Sequence, residues 1–516
     1  MVNRILKFFT SLRLTVVLLA VGTLLVFVGT LAQVHEGLYD AQVRYFKSWF
    51  VWRPTIGDAH WPIVLPGGYL LGTLLLLNLV SAHIKRFQLT WKKAPIHLIH
   101  GGLIILLLGQ LFTDAFSRNS AMRIPEGEAR NYSEDFRDNE LALIDASDLH
   151  SDRVISIPEN LLERKGEIED SALPVRFRVR EYWPNCDVQE LAPPQAVPAP
   201  ADHGALTNML VLPLPSTTPE SERVHAAALV EVVSDKGSLG KYLVVDRTMR
   251  PVLFGYKDSD WAMTILFAPM LGGNQLVVAD AARGFGDDSQ MMFAEAELTA
   301  GKELKRTGMP VTLRIINFWP KCMLYHKASP MAVKPKLTQG ALANSFVEPL
   351  QLEKDEDHRN LPAVVVEALG PQGSLGTWLL WTDLETHDTL SVAGKAYQLA
   401  FRFKRYYEPY SIGLLKFSHD IYKGTDTPKN FSSRIRLMNP EKHEDREVLI
   451  KMNDPLRYAG TTFYQSGFFG EHVTILQVVT NPSAVAPYLA CAMVAGGLIA
   501  QFMAHLIGFM KKQRAA

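Results

Sequence analysis

Two histidines three residues apart, His97 and His100, open a long uncharged apolar stretch from Pro95 to Phe112. The stretch is long enough for a membrane helix, and an ionisable side chain inside one is costly enough to read first as a functional site. Residues i and i+3 share a helix face, so both imidazoles point roughly the same way. Neutral imidazole is a common axial ligand of haem iron. The plainer reading is a pair of interfacial polar residues satisfied by neighbouring helices. A third histidine, His505, lies near the end of the last apolar segment. It is placed either at the depth of His100 as another ligand or at the headgroups as an interfacial residue.

Three further segments qualify as spans: Leu14 to Leu31, Gly67 to Ala82 with Asn78 as its polar member, and Ala484 to Phe509 with Gln501 and His505 inside it. Residues 1–116 therefore hold three spans, 117–483 a large polar region, and 484–516 the fourth span and a tail. The formal net charge of +0 says nothing about a partner; the local charges do. Arg4, Lys7 and Arg13 precede the first span, Lys85, Arg86, Lys92 and Lys93 join the second to the third, and Lys511, Lys512 and Arg514 close the chain. These three basic segments share one side of a four-span protein, which the positive-inside rule makes cytoplasmic. The first span lacks a clear small-residue cleavage site and is read as retained. Tyr39, Tyr45, Phe46, Trp49, Phe50 and Trp52 in the first outer loop suit either a segment lying against the membrane lipid or a packed loop helix.

The region 117–483 reads as strands. Val175–Val179, Val311–Ile315 and Phe401–Phe403 alternate apolar and polar residues, the period of a half-buried strand. Ala192 to Thr218, rich in Pro and Ala, reads as a loop. There is an internal duplication. Pro174-Val-Arg-Phe-Arg-Val-Arg-Glu-Tyr-Trp-Pro-Asn-Cys186 resembles Pro310-Val-Thr-Leu-Arg-Ile-Ile-Asn-Phe-Trp-Pro-Lys-Cys322, and Gly237-Ser-Leu-Gly240 resembles Gly373-Ser-Leu-Gly376. Both later motifs lie 136 positions after the earlier ones, 310 against 174 and 373 against 237. Leu399 to Pro409 is a weaker third copy. The expected fold is a four-helix membrane protein with a large β-rich outer domain, its two or three related units packed as sandwiches.

Chemistry is narrowed by what is missing. The 3 cysteines include no CxxC and no CxxCH, which excludes dithiol exchange by this chain alone and c-type haem attachment to it. Cys186 and Cys322 occupy equivalent repeat positions, and either a bridge or two buried thiols is open. No Walker A motif, HExxH or nucleophile elbow occurs. Basic residues of the outer region are interspersed with acids, which argues against nucleic acid.

Four places resemble the ResB-like family of cytochrome c biogenesis proteins, the haem-handling component of system II. They are Gly29-Thr30-Leu-Ala-Gln33 at the end of the first span, Leu77-Asn78-Leu79 with Lys85-Arg86 in the second, His100 to Gly109 in the third, and Asn453-Asp-Pro-Leu-Arg-Tyr-Ala-Gly-Thr-Thr-Phe-Tyr-Gln465 before the fourth. The last is the most specific, and little between Arg118 and Gly394 shares the likeness. The resemblance implies a plasma-membrane subunit, of the bacterial inner membrane, that binds haem b non-covalently. It implies work with a tryptophan-rich haem-binding membrane partner to deliver haem to apocytochrome c. His100 matches the family's intramembrane histidine and so is the implied iron ligand, with His97 its neighbour. No residue stands out as a catalyst of thioether formation, so the chain reads as a non-catalytic subunit. A transmembrane b-type electron-transfer protein and a haem-free assembly factor are the competing readings.

Overall fold

The computed structural model describes residues 7–515, apart from 57–58, 89, 92, 149–150, 220–222, 247–251, 256–261, 271–272, 281–289, 354–358, 385, 422–427 and 471. Arg4 and Lys92 of the basic segments thus lie outside the described residues. Four helices are long and apolar enough to cross a membrane: α1 (Leu12–Glu36), α2 (Gly68–Arg86), α3 (Ala94–Phe116) and α4 (Ala486–Ala515). All four run past the C-terminal end of the span expected from the sequence; α2 begins one residue inside that span and α4 two.

Polar side chains hold the bundle at a few points. Asn78, 3% exposed on α2, donates to the Phe9 carbonyl at 2.7 Å and accepts from Thr15 Oγ1 at 2.7 Å, which fixes the start of α1 against α2. α3 and α4 run antiparallel along a seam of small residues, the packing expected where apolar lipid gives helices no hydrophobic reason to associate. A Cβ added to Gly102 would lie 2.8 Å from the Ala490 carbonyl oxygen, and one on Gly109 2.7 Å from Ala486 Cβ. On α4, a Cβ on Gly497 would lie 2.8 Å from the Pro95 carbonyl oxygen.

The β-rich domain is rooted at the end of the bundle opposite the start of α1 and the end of α4. Strand β1 (Arg118–Pro125) follows α3 directly, and the last strand pairs with it, Arg118 opposite Thr480, before the chain enters α4. Thr113 Oγ1 and Ser483 Oγ, 2.8 Å apart, tie the two helices at this root.

Going inward from the root, the strands are β2 (Ala129–Asp145), β3 (Arg153–Pro158), β4 (Arg176–Trp183), β5 (Cys186–Glu190), β6 (Met209–Pro213), β7 (His225–Ser234) and β8 (Gly237–Val245). Returning, they are β9 (Thr312–His326), β10 (Ser345–Pro349), β11 (Ala363–Gly370), β12 (Gly373–Trp381), β13 (Lys395–Ile421), β14 (Pro428–Asn439), β15 (Glu444–Lys451), β16 (Leu456–Tyr458), β17 (Thr461–Phe469) and β18 (Val473–Thr480). A meander of short strands between Val252 and Ala294 lies innermost. The base is a ten-stranded sheet whose main path runs β15-β14-β13-β2-β1-β18-β17-β16.

The duplication is confirmed, but its copies do not form separate sandwiches. β4, from the first copy, pairs with the β11–β12 hairpin of the second, and β9, from the second, pairs with the β7–β8 hairpin of the first. The registers match residue for residue. Ala363 lies opposite Trp183 as Ala227 lies opposite Trp319, and both ladders slip at the equivalent step, Val365/Val366 and Leu229/Val230. Charge pairs repeat as well: Arg178 sits between Glu167 and Glu367, Arg314 between Glu303 and Glu231. The weak third copy obeys the same rule, since β13 pairs with β2 and sets Arg402 opposite Glu140. The pairings therefore nest: β2 with β13, inside them β4–β5 with β10–β12, and inside those β6–β8 with β9.

The reading of 192–218 is corrected. The Pro/Ala-rich stretch 192–218 is not all loop, because Val197–Ala199 and β6 add strands beside β9. Pro is tolerated there because Pro198 sits on an edge strand and Pro213 at a strand end. Cys186 and Cys322 are free and buried, in separate small cores. Burial pushes both thiols up to about 12, helped by Asp187 beside the first and Asp246 beside the second.

Candidate functional site

α2 and α3 are antiparallel neighbours joined by a short connection, so the end of one meets the start of the other. This brings His83 of α2 against both sequence-selected histidines. The His83 and His97 rings are 4.9 Å apart between centroids, the His83 and His100 rings 5.9 Å, and Phe87 packs on His97 at 4.8 Å. The cluster sits at the end of the bundle where α1 begins and α4 ends, beside Lys85 and Lys93.

The three imidazoles are held differently. His97 Nε2 lies 2.9 Å from the Gln88 carbonyl oxygen. A carbonyl only accepts, so Nε2 carries the proton and Nδ1 is left bare. Among the described residues that Nδ1 is buried without a hydrogen-bond partner, which is unusual for a buried polar atom. His100, one turn further into α3, is half-buried. Among the described residues no group of three or more His, Cys, Asp or Glu stands in metal-holding geometry. A haem iron asks for less, one or two axial nitrogens.

His505 does not join the cluster. Gly497 packs at the level of Pro95 and Ile99, and α4 continues eight residues beyond it to His505, about 12 Å along the axis. His505 is exposed and lies 2.9 Å from Gln501 on its own helix. The shared depth with His100 allowed by counting along each span separately is therefore overturned by the helix register. His83 was missed for a related reason. Its signal was its place just before Lys85-Arg86, which puts it at the same end of the membrane as His97 and His100, but only the pairing of α2 with α3 makes it a neighbour.

The Asn453–Gln465 segment folds as the β16–β17 hairpin. Its two-residue turn, Ala459-Gly460, has φ of 49° and 81°, the twist that matches hairpin strands. Phe463 is fully buried, and Gln465 is 8% exposed and bonds Ser433 and Thr474. Tyr458 donates to Glu444 at 2.7 Å and accepts from Asn439 at 2.9 Å. Those residues are scaffold. Arg457 and Tyr464 face outward.

Comparison with known proteins falls on this part of the domain. The ResB-like family model matches residues 385–475, from the strand before β13 into β18. That segment of the chain is similar to the ResB-like family. The chain is also 32% identical over 92 residues to Protein NrfI of Wolinella succinogenes, an alignment covering 18% of the chain and 10% of that relative. The chain thus spans about a tenth of the length of the curated relative it matches. The matched residues supply the base sheet's strands from β13 into β18. The nested strands β4 to β12 and the three clustered histidines lie outside them.

Proposed function

We propose that this ResB-like membrane protein serves cytochrome c biogenesis as the haem-handling subunit of a system II synthase. In this reading it binds haem b at the inner end of its helices and helps pass it outward for attachment to apocytochrome c. The observation that carries the reading is the meeting of His83, His97 and His100 at one end of α2 and α3. The ResB-like match over residues 385–475 supports the biogenesis context. His100 is the axial ligand in this reading. His97, anchored on the Gln88 carbonyl, fixes the ring packing beside it or serves as the second ligand through its bare Nδ1. His83 packs against both. Haem supplies the iron and the vinyl groups that the acceptor thiols attack; the chain supplies nitrogen ligands and an apolar surround. The tryptophan-rich membrane partner holds the haem on the outer side.

The test is the Soret absorbance of the purified chain with its partner, for wild type and for His83→Ala, His97→Ala and His100→Ala separately. Loss of most haem in His100→Ala is expected. Wild-type haem in all three variants would remove the cluster from the function, and a loss confined to His97→Ala would move the ligand one turn. The orientation belongs to the same reading, with both termini cytoplasmic and the β domain outside, supported by the basic loops. Alkaline phosphatase inserted between residues 192 and 218 should be active, and an inactive but expressed fusion would reverse the orientation.

A further inference from the structure

At the opposite end of the same helices is a cleft of about 480 Å³ between α1, α2, α3 and the loop after α1. The loop is built to reach it. Residues Gln42–Phe46 form a π-helix, a rare element often found at functional sites. Close packing holds that element down: a Cβ on Gly29 would lie 2.8 Å from the Phe46 ring, and one on Gly68 2.3 Å from the Phe46 carbonyl oxygen. Gly29 and Gln33 belong to the Gly-Thr-x-x-Gln ending of α1. Its role is thereby placed: the glycine seats Phe46, and Gln33 lines the cleft.

The lining divides into two parts. Leu76, Leu107 and Leu111 form an apolar wall deeper in the bundle, and Lys47, Tyr69 and Asp114 gather nearer the outer surface. Lys47 Nζ lies 3.0 Å from Asp114 Oδ1, and the Tyr69 hydroxyl donates to Asp114 Oδ2. Lys47 is 47% exposed, so its ammonium has donors to spare, as the carboxylate has acceptor positions to spare. A Cβ added to Gly72 would meet nothing within 4 Å, so the cleft wall is open there.

We propose that the cleft binds one zwitterionic phospholipid of the leaflet facing the β domain, its phosphate on Lys47, its ammonium on Asp114 and an acyl chain along Leu107 and Leu111. The argument is charge and depth. Lys47 and Asp114 cancel, so the cleft offers one site of each sign and no net charge. A headgroup with both signs satisfies both. An anionic lipid gains Lys47 but leaves Asp114 without a cation of its own, and a tetrapyrrole with two propionates sets negative charge against Asp114. From Asp114 to Leu107 is about 10 Å along α3, the step from headgroup to acyl chain. The proposal is independent of the haem reading.

The probes are phosphatidylethanolamine and phosphatidylglycerol added to the purified 516-residue chain in detergent, with bound lipid counted by native mass spectrometry as detergent is stripped. One phosphatidylethanolamine per chain should be retained at least tenfold better than phosphatidylglycerol. Gly72→Leu should abolish that retention, and Asp114→Asn should erase the preference between the two lipids. Thermal melting in detergent identifies any variant that fails to fold; should Asp114→Asn fail, Gly72→Leu decides alone. Equal retention of both lipids by the wild-type chain, undiminished retention by folded Gly72→Leu, or lipid displaced by haem would each overturn the proposal.

Discussion

Arg402 and Arg314 occupy the same place in the repeated strand pattern, each opposite a glutamate, yet they face different surroundings. The Arg402–Glu140 pair lies 3.1 Å apart with side chains 9% and 5% exposed, and Ser156 donates to the same carboxylate. Arg314, 46% exposed, lies 3.0 Å from Glu231 in water. Removing one partner of a buried pair strands the other charge, whereas an exposed pair contributes little. Arg402→Ala should therefore lose about 3–5 kcal/mol of outer-domain stability, and Arg314→Ala less than about 1 kcal/mol. Denaturant melts of the two variants measure this, and equal losses would mean that the Arg402 pair is solvated in practice. At this scale the sequence was partly legible. His97 and His100 declared themselves because a titratable group in an apolar run is conspicuous. His83 stayed hidden because its run is shorter and its significance lies in a neighbour on another helix.

Among elements, the four spans were readable from apolar length alone, since lipid requires every backbone group to be satisfied within the helix. Which helix packs on which was not readable. The α3–α4 seam depends on small residues whose contacts appear only when the two helices are aligned. Two glycines of this bundle make a matched test. Gly102 leaves no room for a Cβ, while a Cβ on Gly496 meets nothing within 4 Å. Gly102→Leu should force α3 and α4 apart and lower the melting temperature of the detergent-solubilised chain by several degrees, while Gly496→Leu should leave it unchanged. Similar shifts for both would show that the seam is not what holds these helices together. The alternation at Val175–Val179 and Val311–Ile315 likewise located strands correctly without revealing their partners. A repeat fixes how its copies resemble one another. The exchange of β4 and β9 between copies is set by chain topology, which periodicity does not encode.

For the whole molecule, nesting places the chain between β3 and β13, which precedes the family match beginning at residue 385, as an insertion into the base sheet. The base sheet is closed by β1, β2 and β13 to β18, and the chain between β3 and β13 is inserted as successive layers, each returning beside the point where it left. At Glu190 and Ser345 the outgoing and returning chains are directly paired, the last rung of the β5–β10 ladder. A chain cut there needs only a two-residue turn such as Asn-Gly to close it as a hairpin. The inner layers carry their own cores, around Val230, Ile265 and Leu313 and around Leu229, Trp319 and Cys322. The core around Leu141, Val366 and Phe401 draws on none of the residues that would be removed. Replacing 191–344 by Asn-Gly should leave a folded, membrane-inserted protein. The cost should fall on the cover that Leu337 and Leu342 give the small cluster around Cys186 and Val365, and on the hydrogen bonds that Thr338, Gln339 and Ala341 make to Thr377, Leu375 and Asp388. A somewhat lower melting temperature is expected, with the Soret band of the complex retained, because the histidine cluster is at the far end of the helices. Size-exclusion chromatography and the haem spectrum of the shortened chain measure both. Aggregation would show that the layers fold as one unit. A folded chain that keeps its haem but fails to mature cytochrome c would instead place the contact with the apocytochrome in the inserted layers.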